Sequence, residues 1–138
     1  MNMNNNLSYW VERDILFLQI KGKNKVDDIL GLYEKAFADK STPAKVSIIV
    51  DARFSGNQNN EEEKIRFTDG LRKYSLRIIQ QAIVVSKDSQ FIDIRQTSSY
   101  SKSDGYEVQS FREIESARDW VEDIPLMGVC GICAPRSK

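Results

Sequence analysis

Two kinds of apolar pattern alternate along the chain. Val46-Ser-Ile-Ile-Val50 and Ala82-Ile-Val-Val85 are short, nearly continuous runs dominated by β-branched residues. Runs of that length and composition are strands buried on both faces, at the centre of an α/β sheet. Ile15-Leu-Phe-Leu-Gln-Ile20 is apolar on both faces as well, and the shorter Tyr9-Trp-Val11 precedes it across Arg13-Asp14, which suggests a tight hairpin. The second pattern is helical. Val26, Ile29, Leu30, Tyr33 and Phe37 recur at helical spacing, with Asp27, Asp28, Glu34 and Lys35 on the other side. This predicts an amphipathic helix over 25–39, capped by Asn24 and stopped by Ser41-Thr-Pro43.

A loop is predicted over 52–60, where Gly56 and three asparagines mark irregular backbone. Glu61-Glu-Glu63 then opens a second helix, with Asn60 as its cap and the carboxylates at the positive end of the dipole. Phe67, Leu71, Tyr74 and Ile78 form its buried stripe and leave Arg66, Lys73 and Arg77 to solvent. Phe91, Ile92, Ile94 and Arg95 start a third helix that dissolves into a polar stretch ending at Gly105. Tyr106, Val108 and Ser110 alternate with polar neighbours as an edge strand, and Ile114, Ala117, Trp120, Val121 and Ile124 share one face of a last helix that Pro125 ends. The order is hairpin, helix, strand, helix, strand, helix, strand, helix. It describes an α/β fold, a single-domain mixed sheet of about five strands with flanking helices and right-handed crossovers.

At 138 residues the chain fits one domain. Residues 7–124 form it, 1–6 are a loose polar terminus, and 125–138 a tail. Lys plus Arg and Asp plus Glu both total 20. That balance removes the main electrostatic argument for nucleic-acid binding. The start lacks the basic and apolar regions of a secretory signal, and no stretch approaches the roughly 20 apolar residues of a spanning helix, so a cytoplasmic protein without a transmembrane segment is expected. Histidine is absent. Triads built on Ser-His or Cys-His and histidine-rich metal sites are thereby excluded within one chain. No cofactor is implied.

In open α/β sheets, ligands and partners meet the carboxyl ends of the strands. Asp51, Arg53 and Ser55 follow the central strand, and Ser86 and Lys87 follow its neighbour. They form a candidate binding rim; the alternative is that Asp51 simply caps the strand or pairs with Arg53. Three consecutive glutamates on a helix point about 100° apart, so Glu61 to Glu63 complement the dipole and do not chelate a metal. Cys130-Gly-Ile-Cys133 is a C-x-x-C pair, with a redox or shared zinc role set against a packed tail. Tyr100 lies in a serine-rich loop that could serve a partner or lipid surface, with a mobile loop as the simpler reading. Tyr33, Phe37, Phe67 and Tyr74 either line a cavity for an amphipathic ligand or are core.

Taken together, the opening hairpin, Ile48-Ile-Val-Asp-Ala-Arg53, Ala82-Ile-Val-Val-Ser86, Arg95, Phe111, Glu115-Ser-Ala117 and Trp120-Val121 resemble the STAS superfamily. The likeness is to small SpoIIAA-like bacterial proteins related to anti-sigma-factor antagonists, over roughly 9–123. It implies a sheet flanked by helices that binds proteins or small ligands and does not catalyse a reaction. It adds Arg95 to the rim. Members with a phospho-switch carry a serine at the amino end of the helix after the central strand; the nearest match is Ser55-Gly56, which makes Ser55 a candidate phosphorylation site. A regulatory module with a protein partner is the expectation, possible as a homodimer through a sheet edge or the tail, with a small amphipathic ligand as the alternative.

Overall fold

The computed structural model describes residues 6–56, 60–87 and 104–130, excepting the side chains of 123–130. In chain order the described elements are β1 (Leu7–Glu12), β2 (Ile15–Gly22), α1 (Val26–Ala38), β3 (Val46–Ser55), α2 (Glu61–Leu71), a 3₁₀ segment (Arg72–Arg77), β4 (Ile78–Val84), β5 (Glu107–Phe111) and α3 (Ile114–Cys130). The sheet runs β1-β2-β3-β4-β5. β1 is antiparallel to β2, and the other neighbours are parallel.

Alternation along the strands divides the core into two layers. Leu16, Leu18, Ile48, Val50 and Ile83 face α1 and α2, where Ile29, Tyr33, Ala36, Phe37 and Leu71 meet them. Ile15, Phe17, Ile49, Ala82 and Val84 face the other way and pack on Ala117, Trp120 and Val121 of α3. Helices on both faces explain why β2, β3 and β4 read as continuous apolar runs. Towards β1 the α3 layer thins: Trp10 stacks on Phe17 at 5.3 Å, and the Arg118 guanidinium lies 5.0 Å from the same ring. Among the described residues no helix is long and apolar enough to cross a membrane.

Several boundaries differ from the sequence expectation, each for a local reason. Asn24 does not cap α1. Its amide donates back to the carbonyls of Lys21 and Gly22 at 2.9 and 3.4 Å, leaving Lys25 at the cap position without a side-chain bond. Asn60 caps α2 as expected, and Glu63 returns the bond to complete a capping box. Its helix stops at Leu71, however, and Ile78 already belongs to β4. Nor does Pro125 end α3, which runs to Cys130. A proline inside a helix removes one backbone bond and crowds one carbonyl, which is a local penalty rather than an obligatory stop. The expected helix from Phe91 through Arg95 and the Tyr100 loop lie outside the described residues.

Arg77 is only half open to solvent. Its guanidinium donates to the carbonyls of Ala44, Phe37 and Pro43 at 2.9, 2.9 and 3.0 Å and lies 4.8 Å from the Phe37 ring centroid. One side chain thus ties the end of α1 and the turn after it to the start of β4. Nearby, Asp39 gathers Tyr9 Oη and the backbone and hydroxyl of Ser41. These donors hold its carboxyl below the usual aspartate range, the Ser41 amide foremost.

Candidate functional site

The carboxyl end of β3 is built by a strand that outlasts its neighbour. Asp51 is the last β3 residue paired with β4, opposite Val84, yet β3 continues to Ser55 against β2. A loop from Ala52 was expected; the β2 pairing extends the strand instead. Between the Gln19–Asp51 and Lys21–Phe54 pairs, β2 advances two residues and β3 three. The extra residue is a β-bulge, a device that bends a strand and re-aims its side chains.

At the bulge Arg53 folds back on Asp51. Its Nε and Nη2 each donate to one carboxylate oxygen at 2.9 Å, and its backbone N–H donates to Oδ1 at 3.2 Å. Asp51 is only 7% exposed. Burial alone would raise its pKa, but the Arg53 bonds and charge, with help from the Gln19 side chain, outweigh burial and hold the carboxyl below the usual range. Asp51 correspondingly raises the pKa of Arg53. A carboxylate so held does not take up a proton near neutral pH; the pair is built to stay charged and fixed.

The remaining strand-end residues attach to this pair. Ser86 Oγ donates to the Arg53 carbonyl at 2.9 Å, and Arg112 Nη1 donates to the Ser86 carbonyl at 2.9 Å. On the other edge the Gly56 N–H donates to the Gly22 carbonyl at 2.9 Å. Phe54, between these braces, is 60% exposed, with the Arg53 guanidinium 5.4 Å from its ring centroid.

No protein-family model and no curated protein matches the chain. Among solved structures it is similar to one described as an uncharacterized protein from the DUF3478 family with a SpoIIAA-like fold, from Shewanella loihica PV-4. The TM-score is 0.56 at 18% identity, over 88% of this chain and 98% of that one. This chain has a SpoIIAA-like fold. At that identity the likeness speaks for architecture alone.

Within the SpoIIAA-like fold, Asp51, Arg53 and Ser86 come together directly, with Lys87 exposed one residue further along. Ser55 is 9% exposed within β3, at position 55 of a chain whose α2 cap stands at 60. Arg95 and Cys133 lie outside the described residues; Cys130 is the last residue of α3. Phe54, Arg112, Gln19 and Lys21 are the neighbours that sequence reasoning missed. The β5 pattern held a signal for Arg112. Phe111 ends that strand and its carbonyl accepts from Val85 N–H, which sets the next residue beside Ser86. No periodicity signals a bulge, so Phe54 had none.

The four rings considered as a cavity lining pack on one another instead. Tyr33 meets Phe67 edge-on at 5.6 Å between centroids, and Phe37 stacks on Tyr74 at 4.5 Å. Tyr33 is fully buried and donates its hydroxyl to Gln81 Oε1. Burial and the neighbouring Tyr106 push its pKa well above the ordinary tyrosine value.

Proposed function

We propose that this SpoIIAA-like chain is a non-enzymatic regulatory module of the cytoplasm that docks a protein partner at the carboxyl end of β3. The observation that carries the reading is Phe54, a large apolar side chain 60% exposed on a backbone braced from both sides and next to an arginine already fixed by Asp51. Aromatic residues and arginine are over-represented among the side chains that dominate protein interfaces. Preorganisation adds to this, because a rigid anchor loses little freedom on binding. The fold supports the same reading through the protein-binding role that the resemblance implies. The rings packed between α1 and α2 give the alternative, a small amphipathic ligand in that layer, less support.

The test is to isolate cross-linked complexes from cells expressing the protein, purify the partner found, and titrate it against wild type, Phe54→Ala and Leu76→Ala. Leu76 is 86% exposed at the opposite end of the sheet and serves as the control. Phe54→Ala should weaken binding by about tenfold or more with no change in melting temperature, and Leu76→Ala should leave it unchanged. Equal affinity for all three forms, or turnover of a metabolite by the purified chain, overturns the reading.

A further inference from the structure

Positive charge collects around Phe54 at the carboxyl end of β3. Its cross-strand partner is Lys21, and Arg53 lies against its ring. Lys23 passes beside Gly56, where an added Cβ would stand 3.4 Å from Lys23 Cγ. One strand further on, Lys87 and Arg112 flank the serine that bonds the Arg53 carbonyl. The acids are distributed differently. Asp51 is engaged by Arg53 and Asp27 by Arg66. Asp28 and the three glutamates of the α2 first turn belong to the helix layer of α1 and α2. On the α3 side, Glu113 and Glu115 stand at the start of the helix.

We propose that the surface centred on Phe54 docks an acidic peptide segment that carries an apolar side chain. The apolar group seats against Phe54, beside the mutually neutralised Asp51–Arg53 pair, and the carboxylates meet Lys21, Lys23 and Arg112. This rests on the interaction-module reading and supplies the chemistry of its partner. Charge complementarity selects the occupant. A second copy presenting the same face would oppose like charges. A nucleic-acid strand longer than the basic patch would run its phosphates past Glu113 and Glu115 at the start of α3, whereas a short acidic segment spans only the basic patch.

The test is a titration of the full isotope-labelled chain, followed by amide NMR shifts, with three probes of matched length. These are a peptide of Asp and Glu with a central Phe-Leu pair, the same peptide with Ser-Ser at its centre, and an oligothymidylate. The Phe-Leu acidic peptide should shift the amides of Lys21, Phe54 and Arg112 saturably. Its affinity should fall about tenfold in Phe54→Ala and again in Lys21→Glu, and should weaken as salt rises from about 50 to 300 mM. Equal binding of the Ser-Ser peptide removes the apolar half of the proposal. Tighter binding of the oligothymidylate, or shifts that map away from Phe54, overturns it. If the acidic peptide fails while a purified partner still loses affinity in Phe54→Ala, the partner's chemistry is wrong and the interaction reading stands; if both fail, both fall.

Discussion

Arg77 gives the sharpest test of how this fold is closed at the amino end of its parallel strands. Three carbonyls, those of Phe37, Pro43 and Ala44, accept from one guanidinium at 2.9 to 3.0 Å, and the Phe37 ring lies beneath it. Hydrogen bonds to a charged group contribute about 1.5–3 kcal/mol each when well buried and less when wet. Two of these bonds are half-buried and one is exposed, so about 1 kcal/mol for each of the former and half that for the latter is a fair assignment. The ring contact adds about 0.5–1 kcal/mol. Arg77→Ala is therefore expected to destabilise by about 2–4 kcal/mol, read as a lower urea midpoint at unchanged slope. Arg77→Lys should recover about half at most, because an ammonium is a point charge and cannot span three divergent carbonyls. A loss below about 1 kcal/mol in the alanine variant, or full recovery with lysine, would refute the clamp.

Three further outcomes follow from named contacts. Asp51→Asn should lower stability at neutral pH by about 1–3 kcal/mol, since Arg53 loses its charged acceptor; because the folded carboxyl titrates below the unfolded value of about 4, the wild-type contribution is complete above the unfolded value and lost as pH falls below it through the lower folded one, so urea midpoints measured against pH should show a shallower acid limb in the variant. An added Cβ at Gly70 would stand 2.6 Å from Leu30 Cδ1, so Gly70→Ala should destabilise by about 1 kcal/mol in wild type yet stabilise by about 0.5–1 kcal/mol in a Leu30→Ala background, where only helix propensity remains; the double-mutant cycle reads this directly. Arg13 holds a left-handed φ of 57° in the hairpin turn, and its 3.9 Å contact with Glu122 is exposed; Arg13→Gly should raise the thermal midpoint by the equivalent of about 0.5–1 kcal/mol.

How much of this was legible in the sequence depended on which physical signal each feature rests on. Continuous β-branched runs and 3.6-residue stripes placed the hairpin, the two central strands and α1, because two-sided burial writes itself into composition. Asn60 was visible because a cap needs its own residue and a glutamate three positions on. Features that depend on neighbours distant in the chain left no such mark. The extension of β3 to Ser55 comes from pairing with β2 beyond the reach of β4, and alternation within β3 carries no record of it. Arg77 read as a surface cation because its three acceptors are backbone atoms 33 to 40 positions away. At the site, Asp51 and Arg53 stood out by their place after an apolar run, and their mutual pairing was one of the two readings weighed. Phe54 read as loop; only the bulge and the braces around it make it an exposed anchor.

The central claim, that a partner docks at the carboxyl end of β3, is tested most directly by placing a photo-crosslinking amino acid at position 54 and, in a separate protein, at position 76. Irradiation in cells expressing each form should yield a discrete adduct from position 54, lost when Lys21 is also changed to Glu, and none from position 76. Adducts from position 76 alone, or no discrete adduct from position 54, would contradict the account; adducts from position 54 that persist unchanged in the Lys21→Glu background would contradict only the acidic chemistry of the partner.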